Sequence, residues 1–110
     1  MIEEMNKDLP ILQELKKSLE NLLGNQIVNM VLFGSRARGD FSDESDIDVA
    51  IIVRGLTPKL KDKIFGEIAQ LELEYDMPIS AFVLSEEEFH QLKRREKRIA
   101  LDIENEGIPL

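Results

Sequence analysis

The chain has 110 residues, of which 43% are hydrophobic and 33% are charged, and its formal net charge is -8. A chain of this length usually forms a single domain, so we expect residues 1–110 to fold around one hydrophobic core. The absence of cysteine excludes disulfides, thiolate zinc sites and cysteine nucleophiles. The negative charge disfavours tight non-specific binding to DNA or RNA by the chain alone.

Neither membrane insertion nor secretion is expected from the sequence. No segment has the roughly 20 apolar residues that a membrane-spanning helix needs. The first ten residues, MIEEMNKDLP, are acidic and lack the apolar run of a signal peptide. Together with the lack of cysteine, these features favour a cytoplasmic protein.

Helical spacing and capping residues predict the first helix, and three apolar runs predict strands. Asp8 suits a helix cap and Pro10 a first turn, and leucines follow at positions 12, 15, 19 and 22 before Gly24 ends the helix. The predicted strands are QIVNMVLF (26–33), DIDVAIIV (46–53) and MPISAFVL (77–84). A loop or short helix is expected between the first two strands.

Two further helices are predicted after the second and third strands. Thr57 and Pro58 begin one of them, and Ser85 with Glu88 forms a capping box at the start of the last. Their expected buried residues are Ile64, Ile68 and Leu71 in the first of these helices, and Phe89, Leu92, Ile99 and Ile103 in the last, which Gly107 ends. The predicted fold class is therefore α+β (α/β), a small mixed sheet with helices packed over it.

A basic block, KRREKR, occupies residues 93–98 of the predicted last helix. We interpret it as the solvated face of that helix, because runs of charge usually are exposed. The alternative is a docking surface for an acidic partner or an RNA.

The segment GSRARGDFSDESDID, residues 34–48, carries most of the candidate chemistry. Asp46 and Asp48 are two residues apart at the start of a predicted strand, so both carboxylates point to the same face. Hard oxygen ligands at this spacing suit Mg²⁺, which takes one or two carboxylates together with substrate phosphates. The simpler alternative is a solvated start of a strand.

The beginning of the same segment has the features of a phosphate-binding turn. Gly34 directly follows a predicted strand and lets the backbone approach a ligand closely. Ser35 adds a hydroxyl and a backbone N–H, and Arg36 and Arg38 add positive charge. An ordinary turn between a strand and a helix is the alternative. The two halves of the segment together predict a site for a nucleoside triphosphate and its metal.

The segment GSRARGDFSDESDIDVAII resembles the signature of the polymerase-β-like nucleotidyltransferases, in particular their minimal form, the MNT proteins. The matching residues are Gly34, Ser35, Gly39, Ser45, Asp46 and Asp48. The resemblance implies the polymerase-β-like fold, triphosphate binding by the glycine and serine residues, and Mg²⁺ binding by the two aspartates. It also implies transfer of a nucleoside monophosphate from an NTP, with ATP expected, to a hydroxyl. Minimal members are often encoded with a HEPN-domain protein as toxin and antitoxin.

The sequence departs from this family at its third carboxylate. The resemblance places that residue on a later strand, where this chain has Ser80 in DMPISAFVL. Serine is a poor base and a poor Mg²⁺ ligand. Glu74 and Asp76 lie just before the strand, and we interpret them as exposed acids. His90 is interpreted as an exposed helix residue, and Phe33 as a core residue.

Three functions follow from these observations. The first is a Mg²⁺-dependent nucleotidyltransferase with a hydroxyl acceptor, such as one on a partner protein. The second is a catalytically weak nucleotide-binding antitoxin that acts by binding a HEPN-domain toxin, and Ser80 favours it. The third is an α/β domain whose acidic turn has no chemical role. The combined pattern of Gly34, Ser35, Asp46 and Asp48 favours the first.

Overall fold

The computed structural model describes residues 9–39 and 46–110. In chain order its elements are α1 (Leu9–Leu23), a 3₁₀ turn (Gly24–Gln26), β1 (Ile27–Phe33), α2 (Gly34–Arg38), β2 (Ile47–Val53), α3 (Pro58–Tyr75), β3 (Ile79–Ser85), α4 (Glu86–Arg94), α5 (Arg98–Glu106) and β4 (Ile108–Pro109). The proposed cap at Asp8 lies outside the described residues.

The four strands form one mixed sheet in the order β3-β2-β1-β4. β1 runs antiparallel to β2 and to β4, whereas β2 and β3 are parallel. The end of β1 therefore lies at the same edge of the sheet as the starts of β2 and β3. Asp48 in β2 pairs with Phe33 in β1 and with Ser80 in β3, which places these three residues side by side at that edge.

Two hydrophobic clusters cover the two faces of the sheet. The larger contains buried residues of α1 and α3, such as Leu15, Leu19 and Ile64, packed on Leu32 and Val49. The smaller contains Val31, Phe33, Ala50 and Ile52 of the sheet with Phe89 of α4 and Ala100 and Ile103 of α5. This arrangement confirms the predicted fold class, a small mixed sheet with helices packed over it.

Local capping contacts confirm two of the predicted helix starts. The Leu60 backbone N–H donates to Thr57 Oγ1 at 3.1 Å, with Pro58 in the first turn of α3. At the start of α4, the Ser85 and Glu88 backbone N–H groups each donate to the other residue's side chain at 3.0 Å. These bonds satisfy N–H groups that have no partner inside the helix. Ile64, Ile68 and Leu71 of α3 are buried, as the helical spacing predicted.

The prediction of one continuous last helix was wrong, because α4 ends at Arg94 and α5 begins at Arg98. The Lys97 N–H donates to the Leu92 carbonyl at 2.9 Å, and the Glu96 N–H donates to the Lys93 carbonyl at 3.0 Å. Glu96, which donates the second of these bonds, has a φ of 53°. This pair of bonds is a Schellman motif, in which the left-handed position usually holds glycine. The basic block therefore lies across a turn, and its residues from Arg94 to Arg98 are exposed.

The short strand β4 was not predicted. Its residues Ile108 and Pro109 pair with Leu32 and Val31 of β1, and the Leu110 N–H donates to the Met30 carbonyl at 2.9 Å. Proline is tolerated here because β4 is an edge strand. Over residues 9–39 and 46–110, no helix has the length and apolar character to cross a membrane.

Candidate functional site

The candidate site lies at the edge of the sheet where β1 ends and where β2 and β3 begin. Gly34 directly follows β1, Asp46 directly precedes β2, and Asp48 is the second residue of β2. Ser80 is the second residue of β3 and pairs with Asp48. The topology thus brings together residues from three separate parts of the sequence, two of them within the segment singled out above.

Gly34 approaches the Asp48 carboxylate so closely that any side chain at position 34 would displace that carboxylate. A Cβ atom added there would overlap Asp48 Oδ2 and would lie 3.0 Å from Asp48 Cγ. The φ of Gly34 is +74°, a left-handed value that other residues rarely adopt. The backbone of this turn therefore borders the carboxylate directly, and α2 begins at the same residue.

The short helix α2 positions Ser35 beside this turn. Ser35 is half-buried, and its carbonyl accepts the Gly39 N–H at 2.9 Å. Gly39 closes the helix in the left-handed conformation, with φ 83° and ψ 11°. The two glycines thus bound a five-residue helix. The structure places Ser35 next to Gly34, and its role in phosphate binding stays a prediction.

Asp48 is half-buried, and its surroundings raise the pKa of its carboxyl above its ordinary value of 3.8. Burial is the largest cause, and the negative charge of Asp46 is the second. The positive charge of Arg38 and a hydrogen bond from Ser80 act in the opposite direction and lower this pKa. Two carboxylates that repel each other at a partly buried site provide a setting for a cation.

Ser80 faces the same side of the sheet as Asp48, with which it pairs across β2 and β3. Its hydroxyl donates a hydrogen bond to the Asp48 carboxylate. Its strand neighbours Phe82 and Leu84 pack in the smaller cluster, whereas Val83 lies in the larger cluster on the opposite face. The position that the family resemblance assigns to a third carboxylate is therefore adjacent to Asp48 and holds a hydroxyl.

Other acidic side chains near the start of β3 have separate roles. Glu72 accepts the Ile79 backbone N–H at 2.9 Å. Asp76 caps the end of α3 with a φ of 52°, and both Asp76 and Glu74 are exposed. Over residues 9–39 and 46–110, no group of three or more His, Cys, Asp or Glu side chains could hold a metal ion. The pair of Asp46 and Asp48 fits Mg²⁺ only if substrate phosphates complete its coordination.

The two predicted arginines differ in their exposure. Arg36 is only 4% exposed, so little of its side chain is accessible to a ligand. The Arg38 side chain is 43% exposed, and its Nη1 donates to Glu106 Oε2 at 3.0 Å. Its positive charge also lowers the pKa of Asp48, as described above. Arg38 is therefore the better placed of the two for phosphate binding. Ser45, the other predicted nucleotide ligand, lies outside the described residues.

Glu106 is a site neighbour that sequence reasoning missed. It lies 68 residues after Arg38, at the last position of α5. No local motif marks a contact over such a distance, and one acid among many carries no signal of its own. His90 is exposed and Phe33 is buried, as the sequence predicted.

The chain belongs to a family of nucleotidyltransferases. Residues 12–107 match the family described as nucleotidyltransferase domain. This range includes the whole segment from Gly34 to Asp48 and also Ser80. The resemblance stated from the sequence is therefore confirmed at the level of the family.

Two relatives from Methanocaldococcus jannaschii are similar over most of the chain. The protein named "Putative protein adenylyltransferase MJ0141" is 40% identical over 76 residues, which are 68% of this chain and 77% of the relative. The protein named "Putative protein adenylyltransferase MJ0604" is 36% identical over 87 residues, covering 79% and 82% of the two chains. A crystal structure titled as a putative nucleotidyltransferase from Sulfolobus solfataricus aligns with a TM-score of 0.47 and 23% identity, over 98% of this chain and 79% of that one.

Proposed function

We propose that this protein transfers a nucleoside monophosphate from ATP to a hydroxyl group of a protein, with Mg²⁺ as the cofactor. The observation that carries this proposal is the close approach of the Gly34 backbone to the Asp48 carboxylate. This contact places the Asp48 carboxylate beside the residue at which α2, the candidate phosphate-binding helix, begins. The family supports nucleotidyl transfer, and the names of both relatives support an adenylyl group and a protein acceptor.

The proposed roles follow from the position of each residue. Asp46 and Asp48 are the metal ligands and the catalytic residues, because they lie two residues apart at the start of β2 and so point to the same face of the sheet. Gly34, Ser35 and Arg38 bind the triphosphate, with Arg36 and Ser45 as the further residues that the sequence proposed. Asp46 and Asp48 would hold Mg²⁺, which would supply positive charge to offset the negative charge of the triphosphate.

The reaction forms one bond and breaks one bond at the α-phosphorus of ATP. The acceptor oxygen bonds to the α-phosphorus, the bond from that phosphorus to the oxygen bridging the β-phosphate breaks, and pyrophosphate leaves. The acceptor hydroxyl loses its proton, so a base must take it. Ser80 cannot serve as this base. Asp46 and Asp48 are already assigned to the metal, and we therefore expect slow transfer unless a partner contributes a base.

A second function is favoured by the hydroxyl at position 80. A chain that keeps the nucleotide site but lacks the third carboxylate can act as a binding module, for example an antitoxin that covers a HEPN-domain partner. Both functions require a protein partner, and the absence of cysteine fits a cytoplasmic setting for either. They differ in whether the adenylyl group of ATP is transferred to that partner.

Calorimetric titration tests the nucleotide site itself. We expect ATP to bind the wild-type chain more tightly with Mg²⁺ than with EDTA. The Asp46→Asn/Asp48→Asn variant should lose this difference, whereas the Glu74→Gln/Asp76→Asn variant, which changes two exposed acids outside the site, should keep it. Equal ATP affinity in Mg²⁺ and EDTA, or an unchanged metal effect in the double aspartate variant, would refute the proposed site.

A further inference from the structure

The ion pair between Arg38 and Glu106 joins the candidate site to the carboxyl-terminal part of the chain. Arg38 Nη1 and Glu106 Oε2 are 3.0 Å apart, and the two side chains are 43% and 34% exposed. A pair this exposed to solvent contributes little to the free energy of unfolding. Its main physical effect is therefore to fix where the guanidinium lies.

The backbone that carries Glu106 is held on the strand that leads into the site. Glu106 is the last residue of α5, and the Gly107 N–H donates to the Ile103 carbonyl at 3.2 Å. A Cβ added at Gly107 would overlap Val31 Cγ1 of β1 and the Ile103 carbonyl. Directly afterwards, β4 pairs with β1. Because β1 leads directly into Gly34, the backbone next to Glu106 and the start of the site are both attached to β1.

Arg38 needs such support, because it occupies the last position of a helix of five residues. Arginine has a long side chain with many rotamers, so immobilising it costs conformational entropy. A guanidinium carries its N–H donors in a fixed plane, so a carboxylate on one edge sets the direction in which another edge meets a phosphate. The surroundings of Arg38 include the Glu106 carboxylate of α5 and the charge of Asp48.

We propose that Glu106 is a positioning residue that holds the Arg38 guanidinium in the orientation required to bind the triphosphate. This inference rests on the proposed function, because it assigns a partner to one of the residues that would bind ATP. Glu106 contacts Arg38 directly and would act on nucleotide binding through it. The carboxyl-terminal part of the chain, through Glu106 and β4, would then contribute to nucleotide affinity.

The test compares Glu106→Gln with a matched control on the same helix. Glu104 forms an ion pair with Lys93, at 3.4 Å, in which the side chains are 47% and 30% exposed. Glu104→Gln therefore removes the same charge and a similar surface pair without changing a contact of Arg38. We expect Glu106→Gln to raise the Kd for ATP with Mg²⁺ by about three- to tenfold, within the usual range for residues coupled through a contact. Glu104→Gln should leave this Kd unchanged.

A double-mutant cycle with Arg38→Ala separates positioning from a general effect on the fold. If Glu106 acts through Arg38, Glu106→Gln should have no further effect on ATP affinity in the Arg38→Ala background. An equal loss of affinity in both backgrounds, or wild-type affinity in Glu106→Gln, would overturn the inference while leaving the proposed function intact. Wild-type protein that does not bind ATP with Mg²⁺ would overturn the proposed function and this inference with it.

Discussion

Replacing Gly34 by alanine should damage the candidate site far more than it damages the fold. At a φ of +74°, an alanine costs about 1–2 kcal/mol of backbone strain. Its Cβ would also overlap Asp48 Oδ2, so the carboxylate must leave its present orientation. A side chain forced about 30° from its rotamer costs roughly 0.5–1.5 kcal/mol more. We therefore expect a total loss of about 1.5–3.5 kcal/mol of unfolding free energy, and strongly weakened metal-dependent ATP binding.

Gly24 provides the matched control for this substitution. Its φ is +54°, and a Cβ added there meets no atom within 4 Å. Gly24→Ala should thus carry the backbone strain alone, about 1–2 kcal/mol, and should leave ATP binding unchanged. In an Asp48→Ala background, Gly34→Ala should cost about 0.5–1.5 kcal/mol less than in the wild type, because the displaced carboxylate is gone.

Urea denaturation and calorimetry measure the two quantities that this prediction joins. Unfolding free energies come from the denaturation midpoints and slopes of the four variants and the wild type. ATP affinity with Mg²⁺ comes from titration of the same preparations. Gly34→Ala and Gly24→Ala variants that are equal in both stability and ATP affinity would refute the reasoning, since the contact with Asp48 would then have no consequence.

Three further predictions concern Asp48, Ser80 and Ser85. Because the fold raises the pKa of Asp48, the folded state binds more protons than the unfolded state between the ordinary pKa of 3.8 and the raised pKa. Wild-type stability without metal should therefore fall as pH rises through this window. At about pH 7, Asp48→Asn should melt at a higher temperature than the wild type, and this advantage should disappear in acid. A constant difference in melting temperature at all pH values would contradict this. Ser80→Asp should lower the melting temperature in EDTA, because it adds a third carboxylate beside Asp48, and should show a larger rise on adding Mg²⁺ than the wild type does; unfolding regardless of metal would show that an aspartate is not accommodated there. Ser85→Ala should cost about 1 kcal/mol by removing a helix cap, as measured by urea denaturation, and should leave ATP affinity unchanged; a loss of affinity would connect α4 to the site.

Local patterns in the sequence were sufficient for most of the elements. The caps at Thr57 and Ser85 have the contacts that their residue types predicted. The family resemblance placed Ser80 at the position of the third carboxylate, and the parallel pairing of β2 and β3 puts it beside Asp48. These features are determined by neighbours close in sequence or by the apolar character of whole strands.

The features that sequence reasoning missed depend on contacts that carry no local signal. Glu96 occupies a left-handed position where glycine is usual, so the turn between α4 and α5 was not recognised. β4 has two residues, one of them proline, and it forms only because it meets the edge of β1. The pairing of Arg38 with Glu106 arises when α5 packs near α2, and no spacing rule predicts it.

Transfer of labelled AMP tests the central claim most directly. The chain is incubated with Mg²⁺, the protein encoded next to it, and ATP labelled at either the α- or the γ-phosphate, and both chains are then analysed by mass spectrometry. We predict Mg²⁺-dependent attachment of the α-label to a protein hydroxyl, no attachment of the γ-label, and loss of transfer in the Asp46→Asn/Asp48→Asn variant. Transfer that persists in this variant, or ATP binding that never leads to α-label transfer, would contradict the claim that Asp46 and Asp48 form a nucleotidyltransferase site.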